Sequence, residues 1–352
     1  MSKILHIVGA RPNYVKAAPV IRAIDFAEQV VVNTAQHYDT RLSCEIRKSV
    51  GMREPDVTLQ MPMNLGTFDR IAFLIREVAK SLEAAHPDLV VVYGDVDSTM
   101  AATLVSSRLG IPVAHVESGL RSGDDRMPEE LNRKIVDRLS SIHFVTEESG
   151  VTNLKNEGHG GTIRFVGNSM IDSLKLILER STAQPLPKKR EILLTCHRPS
   201  NVDSAPALRR VLEMCKAIGE NIIWPLHPRA KKSIEKNNLW SEFAGLKNLN
   251  LAEPMDYTDF VNAMRVSKLV VTDSGGVQEE TTYLGVPCLT LRENTERPST
   301  VLEGTNTLVT FDNIDEHLKA IAYGEYKSSQ TPPLWDGGAG RRIAAEINKF
   351  LN

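Results

Sequence analysis

Short runs rich in valine and isoleucine recur along the chain, and each breaks at Gly, Asp or Pro before a helical pattern begins. The first five are ILHIV (4–8), VVVN (30–33), DLVVVYGD (88–95), IPVAHVE (111–117) and IHFVT (142–146). A second series comprises EILLTCH (191–197), NIIWPLH (221–227), LVVTDSG (269–275), VPCLTL (286–291) and NTLVTF (306–311). Apolar runs of this length, alternating with helical stretches, mark parallel strands buried on both faces and joined by crossover helices. The two series therefore predict an α/β chain of two Rossmann-like, doubly wound domains. Length agrees, because 352 residues exceed most single domains and 41% hydrophobic content can fill a substantial core.

Between the series, Ser181–Arg190 (STAQPLPKKR) has two prolines and a basic cluster but no apolar period, the composition of a linker. The expected division is 1–170 for the first domain and 171–337 for the second. After the Pro/Gly-rich stretch 331–340, AGRRIAAEINKF reads as an amphipathic helix, and the segment 338–352 is assigned back to the first domain. No solenoid repeat or low-complexity tract interrupts this plan.

Lys plus Arg (42) nearly balances Asp plus Glu (44), which argues against a nucleic-acid binder held by a broad basic surface and for a small-molecule partner. Cys44, Cys196, Cys215 and Cys288 lie far apart with no CxxC pair, so neither a disulfide framework nor a zinc site is expected, and a reducing cytoplasm fits. The run after Met1 is too short for a signal peptide, and none approaches the ~20 apolar residues of a membrane helix. The expectation is a soluble cytoplasmic protein with no membrane partner.

In open parallel sheets, ligands bind where strands end and helices begin. Polar residues gather there: Gly9-Ala10-Arg11, Gly94-Asp95-Val96-Asp97, His115-Val116-Glu117, His197-Arg198, His227 and Asp273-Ser274-Gly275-Gly276. Two domains with facing strand ends predict a central cleft. Gly275 and Gly276 allow close backbone approach and positive φ, and Ser274 can cap a helix beginning near Val277. This stretch reads equally as a phosphate cradle and as a bare strand-to-helix turn. Glu279 and Glu280, placed in that first turn, favour the cradle because such an acid can reach a ribose hydroxyl.

Arg11 and Lys16 flank the first turn of the other domain and could neutralise a diphosphate, although Lys16 taken alone reads as a surface cation. Asp97 reads as an N-cap rather than a metal ligand, and Asp95 at the strand tip is a candidate base. Glu117 ends an apolar strand, where an acid needs a purpose or a partner, and Arg121 is the expected partner. Glu129 with Arg133 is an ordinary i,i+4 pair unless Glu129 joins Asp95 and Glu117 as a third carboxylate. His197 and His227 at matching strand tips beside arginines suggest diphosphate binding, with one able to donate a proton. There is no HExxH or Cys/His spacing for a metal, no GxGxxG for a dinucleotide and no P-loop, so no metal or cofactor is expected.

GARPNYVKAAP, AQH, YGDVDST, HVESGLRSGD, MPEELNR, GNSMID, HRPSNVD, PLHP, TDSGGVQEE and ENTERP, in this order, strongly resemble the non-hydrolysing UDP-N-acetylglucosamine 2-epimerase family over nearly the whole chain. The resemblance implies a glycosyltransferase-B architecture with UDP held mainly by the C-terminal domain, and chemistry without metal or nicotinamide. It implies an isomerase that interconverts UDP-GlcNAc and UDP-ManNAc by eliminating UDP to a 2-acetamidoglucal and re-adding it. Carried over by motif, Asp95, Glu117, Glu129 and His197 match catalytic groups. Arg11, Lys16, Arg133, His227, Ser274, Gly275, Gly276 and Glu280 match nucleotide-sugar contacts. The family commonly forms homodimers, and its product feeds surface polysaccharide synthesis.

Two positions depart from the family pattern. Ser200 stands where many members carry Glu, and Gln36-His37-Tyr38-Asp39-Thr40 departs from the Gln-His-Arg of members that bind a second, activating UDP-GlcNAc. The alternatives are a 2-epimerase for a 2,3-diacetamido uronic acid, a hydrolysing 2-epimerase, a glycosyltransferase of the same architecture and a non-catalytic nucleotide-sugar sensor.

Overall fold

The computed structural model describes residues 1–35, 40–181 and 191–352. The Gln36–Asp39 departure, linker residues 182–190 and the side chain of Arg11 lie outside the described residues. The chain divides into two compact units, 1–178 with 333–352 and 179–332.

The first unit runs β1 (Lys3–Val8), α1 (Arg11–Ala23), β2 (Glu28–Asn33), α2 (Thr40–Ser49), β3 (Val57–Thr58), α3 (Thr67–Ala85), β4 (Leu89–Tyr93), α4 (Asp97–Arg108), β5 (Val113–Ser118), α5 (Pro128–Leu139), β6 (Ile142–Val145), α6 (Glu148–Asn156), β7 (Thr162–Phe165) and α7 (Ser169–Arg180). Its seven strands form one parallel sheet in the order β3-β2-β1-β4-β5-β6-β7. All of LVVVY in β4 is buried, as a strand covered by helices on both faces must be. Helix α3 turns Leu74, Val78 and Leu82 inward at four-residue spacing, one stripe against the sheet, and ends at His86 in a left-handed cap.

The second unit runs β8 (Ile192–Thr195), α8 (Pro199–Val202), α9 (Ala205–Ala217), β9 (Ile222–Pro225), α10 (Pro228–Lys236), α11 (Trp240–Ala244), β10 (Leu249–Ala252), α12 (Tyr257–Val266), β11 (Leu269–Thr272), α13 (Gly275–Leu284), β12 (Cys288–Leu291), α14 (Pro298–Leu302), β13 (Asn306–Val309) and α15 (Ile314–Ala322). Its six-stranded parallel sheet has the order β10-β9-β8-β11-β12-β13. Here the core is built around Leu194, Val211, Leu212, Val271 and an edge-to-face contact of Trp224 with Phe243 at 5.7 Å.

The terminal helix α16 (Ala339–Leu351) belongs to the first unit. Asp172 accepts hydrogen bonds from Ala339 and Gly340 at its start (3.1 and 2.8 Å), and a β-carbon on Gly340 would lie 2.6 Å from the Pro19 carbonyl of α1. The division falls at 178 rather than 170, because α7 buries Met170, Ile171, Leu174 and Ile177 and its Ser173 donates to Val15 of α1. It returns at 333 rather than 338, because Trp335 is buried with its indole N–H on the Thr146 carbonyl (2.9 Å). No described helix is long and apolar enough to cross a membrane.

In each sheet the winding reverses once, between β1 and β4 and between β8 and β11. These are the topological switch points, where strand-end loops diverge and leave room for a ligand.

Candidate active site

At the switch point of the first unit, Asn13 fastens the two diverging loops. Its side-chain oxygen accepts from the N–H groups of Gly9 and Ala10 (3.1 and 2.8 Å), and its amide donates to the Tyr93 carbonyl (2.8 Å). Gly94 follows with φ of 64°, and a β-carbon there would lie 2.9 Å from Nζ of Lys16. A glycine is thus required twice, by the backbone and by the lysine crossing it.

Lys16 is 5% exposed and not a surface cation. Its ammonium meets the Glu117 carboxylate at 2.5 Å, so Glu117 pairs with Lys16 and not with the expected Arg121. Arg121 instead bonds Asp137 and Glu157, each at 2.7 Å. Glu117 sits in β5 at a break in register with β6 and has φ of 72°. A left-handed backbone at a residue with a β-carbon costs about 1–2 kcal/mol, so its surroundings must over-determine it.

The guanidinium of Arg133, 3% exposed, bridges Asp95 and Glu130, the latter at 2.9 Å. The anticipated Glu129–Arg133 pair is therefore replaced by Glu130, whose carboxylate also accepts from the Ser122 N–H (2.9 Å) and holds the loop after β5. Glu129 lies in the first turn of α5, half-buried, with no ion pair among the described residues. Asp97 is the first residue of α4 rather than its N-cap, and it pairs with Arg70 at 2.8 Å. Asp95 thus follows β4, Glu117 sits in β5 and Glu129 opens α5, with Arg133 balancing Asp95 and Lys16 balancing Glu117.

At the switch point of the second unit, Asp273 directly follows β11 and is fully buried. It accepts from the N–H groups of His197 and Arg198 (3.0 and 2.8 Å), the Asn201 amide (3.0 Å) and the His197 ring at Nδ1 (3.1 Å). Burial would raise its carboxyl, but the His197 hydrogen bond and charge, with these N–H donors, hold it well below the usual range. His197 is thereby oriented with Nε2 directed away from Asp273, and its ring packs on that of His227 at 5.2 Å. His227 is the N-cap of α10, its Nδ1 accepting from the Arg229 N–H at 3.2 Å.

Helix α13 begins at Gly275, two residues before the expected start. Ser274 occupies the N-cap position but makes no side-chain cap; its own N–H bonds the Thr272 hydroxyl at 3.0 Å. Neither Gly275 nor Gly276 has positive φ. Gly275 is needed for space, since a β-carbon would lie 2.6 Å from Nη1 of Arg297. The early start also moves Glu279 and Glu280 beyond the first turn. Glu279 pairs with Arg297 at 2.9 Å, while Arg297 also meets Glu296, and Glu296 meets Arg292 at 2.8 Å. Glu280 is 3% exposed and accepts from the Tyr257 hydroxyl at 2.6 Å. Burial pushes its carboxyl up to about 7, against the lowering effect of that hydrogen bond. The first N–H groups of this ten-residue helix receive no side-chain cap from Ser274, and the positive end of the helix dipole lies there.

Asn13, Asp137, Asp273, Tyr257 and Arg297 are the partners that sequence reasoning did not assign. Asn13, Asp273 and Arg297 stand in the motifs GARPNYVKAAP, TDSGGVQEE and ENTERP, and an acid closing an apolar strand is the available signal for Asp273. The others show only in three dimensions.

Two parallel, doubly wound sheets with charged side chains gathered at their switch points define a glycosyltransferase-B-like α/β protein. Residues 21–348 match the model of the UDP-N-acetylglucosamine 2-epimerase family. A Methanococcus maripaludis protein named UDP-N-acetylglucosamine 2-epimerase homolog is 40% identical over 316 residues, covering 87% of this chain and 88% of its own. The Pseudomonas aeruginosa UDP-2,3-diacetamido-2,3-dideoxy-D-glucuronate 2-epimerase is 37% identical over 320 residues, with coverages of 87% and 88%. The crystal structure of Methanocaldococcus jannaschii UDP-GlcNAc 2-epimerase in complex with UDP-GlcNAc and UDP superposes with a TM-score of 0.89 at 34% identity, covering 99% of both chains. The chain belongs to the UDP-N-acetylglucosamine 2-epimerase family, a family of isomerases.

Proposed function

We propose that this protein interconverts UDP-GlcNAc and UDP-ManNAc without net hydrolysis. The observation that carries the reading is the set of charge-balanced carboxylates at the first switch point, Asp95 with Arg133 and Glu117 with Lys16, in a chain whose named relatives are UDP-sugar 2-epimerases.

The C2 proton of a hexosamine has no adjacent carbonyl to acidify it, so its removal must be coupled to departure of the diphosphate. A carboxylate takes the proton, the C2–H electrons form the C1–C2 double bond, and the C1–O bond breaks toward UDP, leaving a 2-acetamidoglucal. Return of a proton to the opposite face of C2, with attack of a diphosphate oxygen on C1, completes the exchange. In this reading Asp95, Glu117 and Glu129 carry the proton transfers. His197, fixed by Asp273, meets the leaving diphosphate. Arg11, Lys16, Arg133 and His227 supply further contacts to the nucleotide sugar, the start of α13 at Ser274, Gly275 and Gly276 receives phosphate, and Glu280 receives the ribose.

A second reading, epimerisation of a 2,3-diacetamido uronic acid, is supported by the Pseudomonas aeruginosa relative at 37% identity. Incubation with each UDP-sugar separately in deuterated water, followed by proton NMR, decides between them. UDP-ManNAc carrying deuterium at C2 is the expected product from UDP-GlcNAc. Turnover of the diacetamido substrate alone would establish the second reading, and free ManNAc would mean a hydrolysing enzyme.

The state of Glu280 gives a further expectation. An ionised carboxylate accepts hydrogen bonds from two ribose hydroxyls, whereas the protonated form loses part of that capacity. Since its carboxyl stands near 7 in the free protein, nucleotide binding favours the ionised form and weakens as pH falls below about 7. Linkage limits the loss for one proton to about tenfold in Kd per pH unit. Calorimetric titration with UDP at pH 6 and pH 8 checks this, and Glu280→Gln is expected to flatten the difference.

A further inference from the structure

We infer that Asp137 is the positioning residue for the three carboxylates assigned above, an inference that rests on the epimerase reading. Asp137 lies in α5, fully buried, and takes hydrogen bonds from both sides of Glu117. Ahead of it, Nδ1 of His115 lies 2.7 Å from Oδ1. Behind it, the Ser118 hydroxyl donates at 2.5 Å and the Gly119 N–H at 3.1 Å, with the Arg121 guanidinium at 2.7 Å.

These contacts enclose the residue whose backbone is left-handed. A β-carbon on Gly119, itself at φ of 84°, would lie 2.5 Å from the Gly150 carbonyl, so the turn after Glu117 has no slack on its far side. The grip extends to Asp95, because Nε2 of His115 lies 2.9 Å from the Gly94 carbonyl. Both His115 nitrogens therefore face oxygen partners, one on Asp137 and one on the Gly94 carbonyl. Glu129 is tied to the same anchor through α5 itself. One buried carboxylate thus joins the loop after β4, the bulge of β5 and the helix of the third acid, without being one of the proton-transfer groups.

Asp137→Asn keeps the shape but removes the charge and part of the accepting capacity. Misplacement of reacting groups by about 1 Å can cost on the order of 10²-fold, so kcat is expected to fall about 10- to 100-fold while KM changes less than about threefold. UDP affinity by calorimetry should stay within about twofold, because His197, His227, Ser274, Gly275, Gly276 and Glu280, most of the groups assigned to UDP, are built on the other sheet. His115→Gln should lower kcat similarly, and the double variant should lose little more than either alone, the mark of a shared linkage. A crystal structure of Asp137→Asn should show Glu117 displaced from its left-handed conformation. The inference is overturned if folded Asp137→Asn keeps kcat within about threefold, or if Glu117 holds its conformation in that structure. Where Asp137→Asn does not fold, His115→Gln and Ser118→Ala serve for the same kinetic and crystallographic comparisons. If the unaltered protein turns over neither UDP-sugar, the epimerase reading fails separately, and positioning is then judged on the Glu117 conformation alone.

Discussion

Glu117→Gln is expected to lower kcat for epimerisation by about 10²- to 10⁴-fold, the range for removing a positioned proton-transfer group. Glutamine preserves the volume but cannot take a proton at this position. The substitution also takes the counter-charge from Lys16 at 2.5 Å, where the two side chains are 6% and 3% exposed. Removing one member of a buried pair destabilises a fold because the remaining charge loses its compensation. Thermal unfolding should therefore shift downward together with turnover. Adding Lys16→Met should restore part of the stability and none of the activity, which separates the two roles. Near-normal turnover in Glu117→Gln would remove this residue from the chemistry.

The largest stability effect is expected in the second unit, from Arg297→Met. Arg297 contacts two carboxylates, Glu279 and Glu296, whose side chains are 1% and 3% exposed. Withdrawal of the cation from both should destabilise the unit by about 3–5 kcal/mol, measured by urea denaturation and read from the transition of that unit. Arg297→Lys should recover only part of this, because an ammonium is a point charge and cannot span two carboxylates as the planar guanidinium does. A midpoint unchanged in Arg297→Met would show that water or rearranged neighbours already solvate the two acids.

The parts of the fold that sequence revealed are those with unbroken apolar cores. Runs such as LVVVY and LVVT announced central strands because both faces are covered. The strands not anticipated are β3, β7 and β10, and each lies at the edge of its sheet. Val57 and Thr58 are both exposed, TIRF alternates, and LNLA is only partly buried, so none has the continuous signature.

For the site, the motifs brought the correct loops to attention but not the pairings within them. Lys16 reads as a surface cation in sequence because its burial depends on Gly94 making room, and Gly94 belongs to another strand end. In sequence Arg121 is the expected partner of nearby Glu117, yet the buried Asp137 claims it. Adjacent Glu129 and Glu130 could not be ranked from spacing alone, since both lie within reach of Arg133, and the loop 122–123 decides for Glu130. Of the two reasons the sequence offers for the glycines of α13, positive φ does not apply, and close approach does at Gly275, where Arg297 takes the space of a β-carbon.

The placement of α16 has a consequence for biosynthesis. Ile343, Ala344 and Ile347 are buried in the unit that begins with β1, and Gly340 lies against the Pro19 carbonyl of α1. On the ribosome, the early strands emerge long before this covering helix is made. The whole intervening unit must be translated first, so the nascent amino-terminal half waits with one apolar flank uncovered. The later-made half can therefore reach its final form before the earlier one, an order of maturation set by chain path alone.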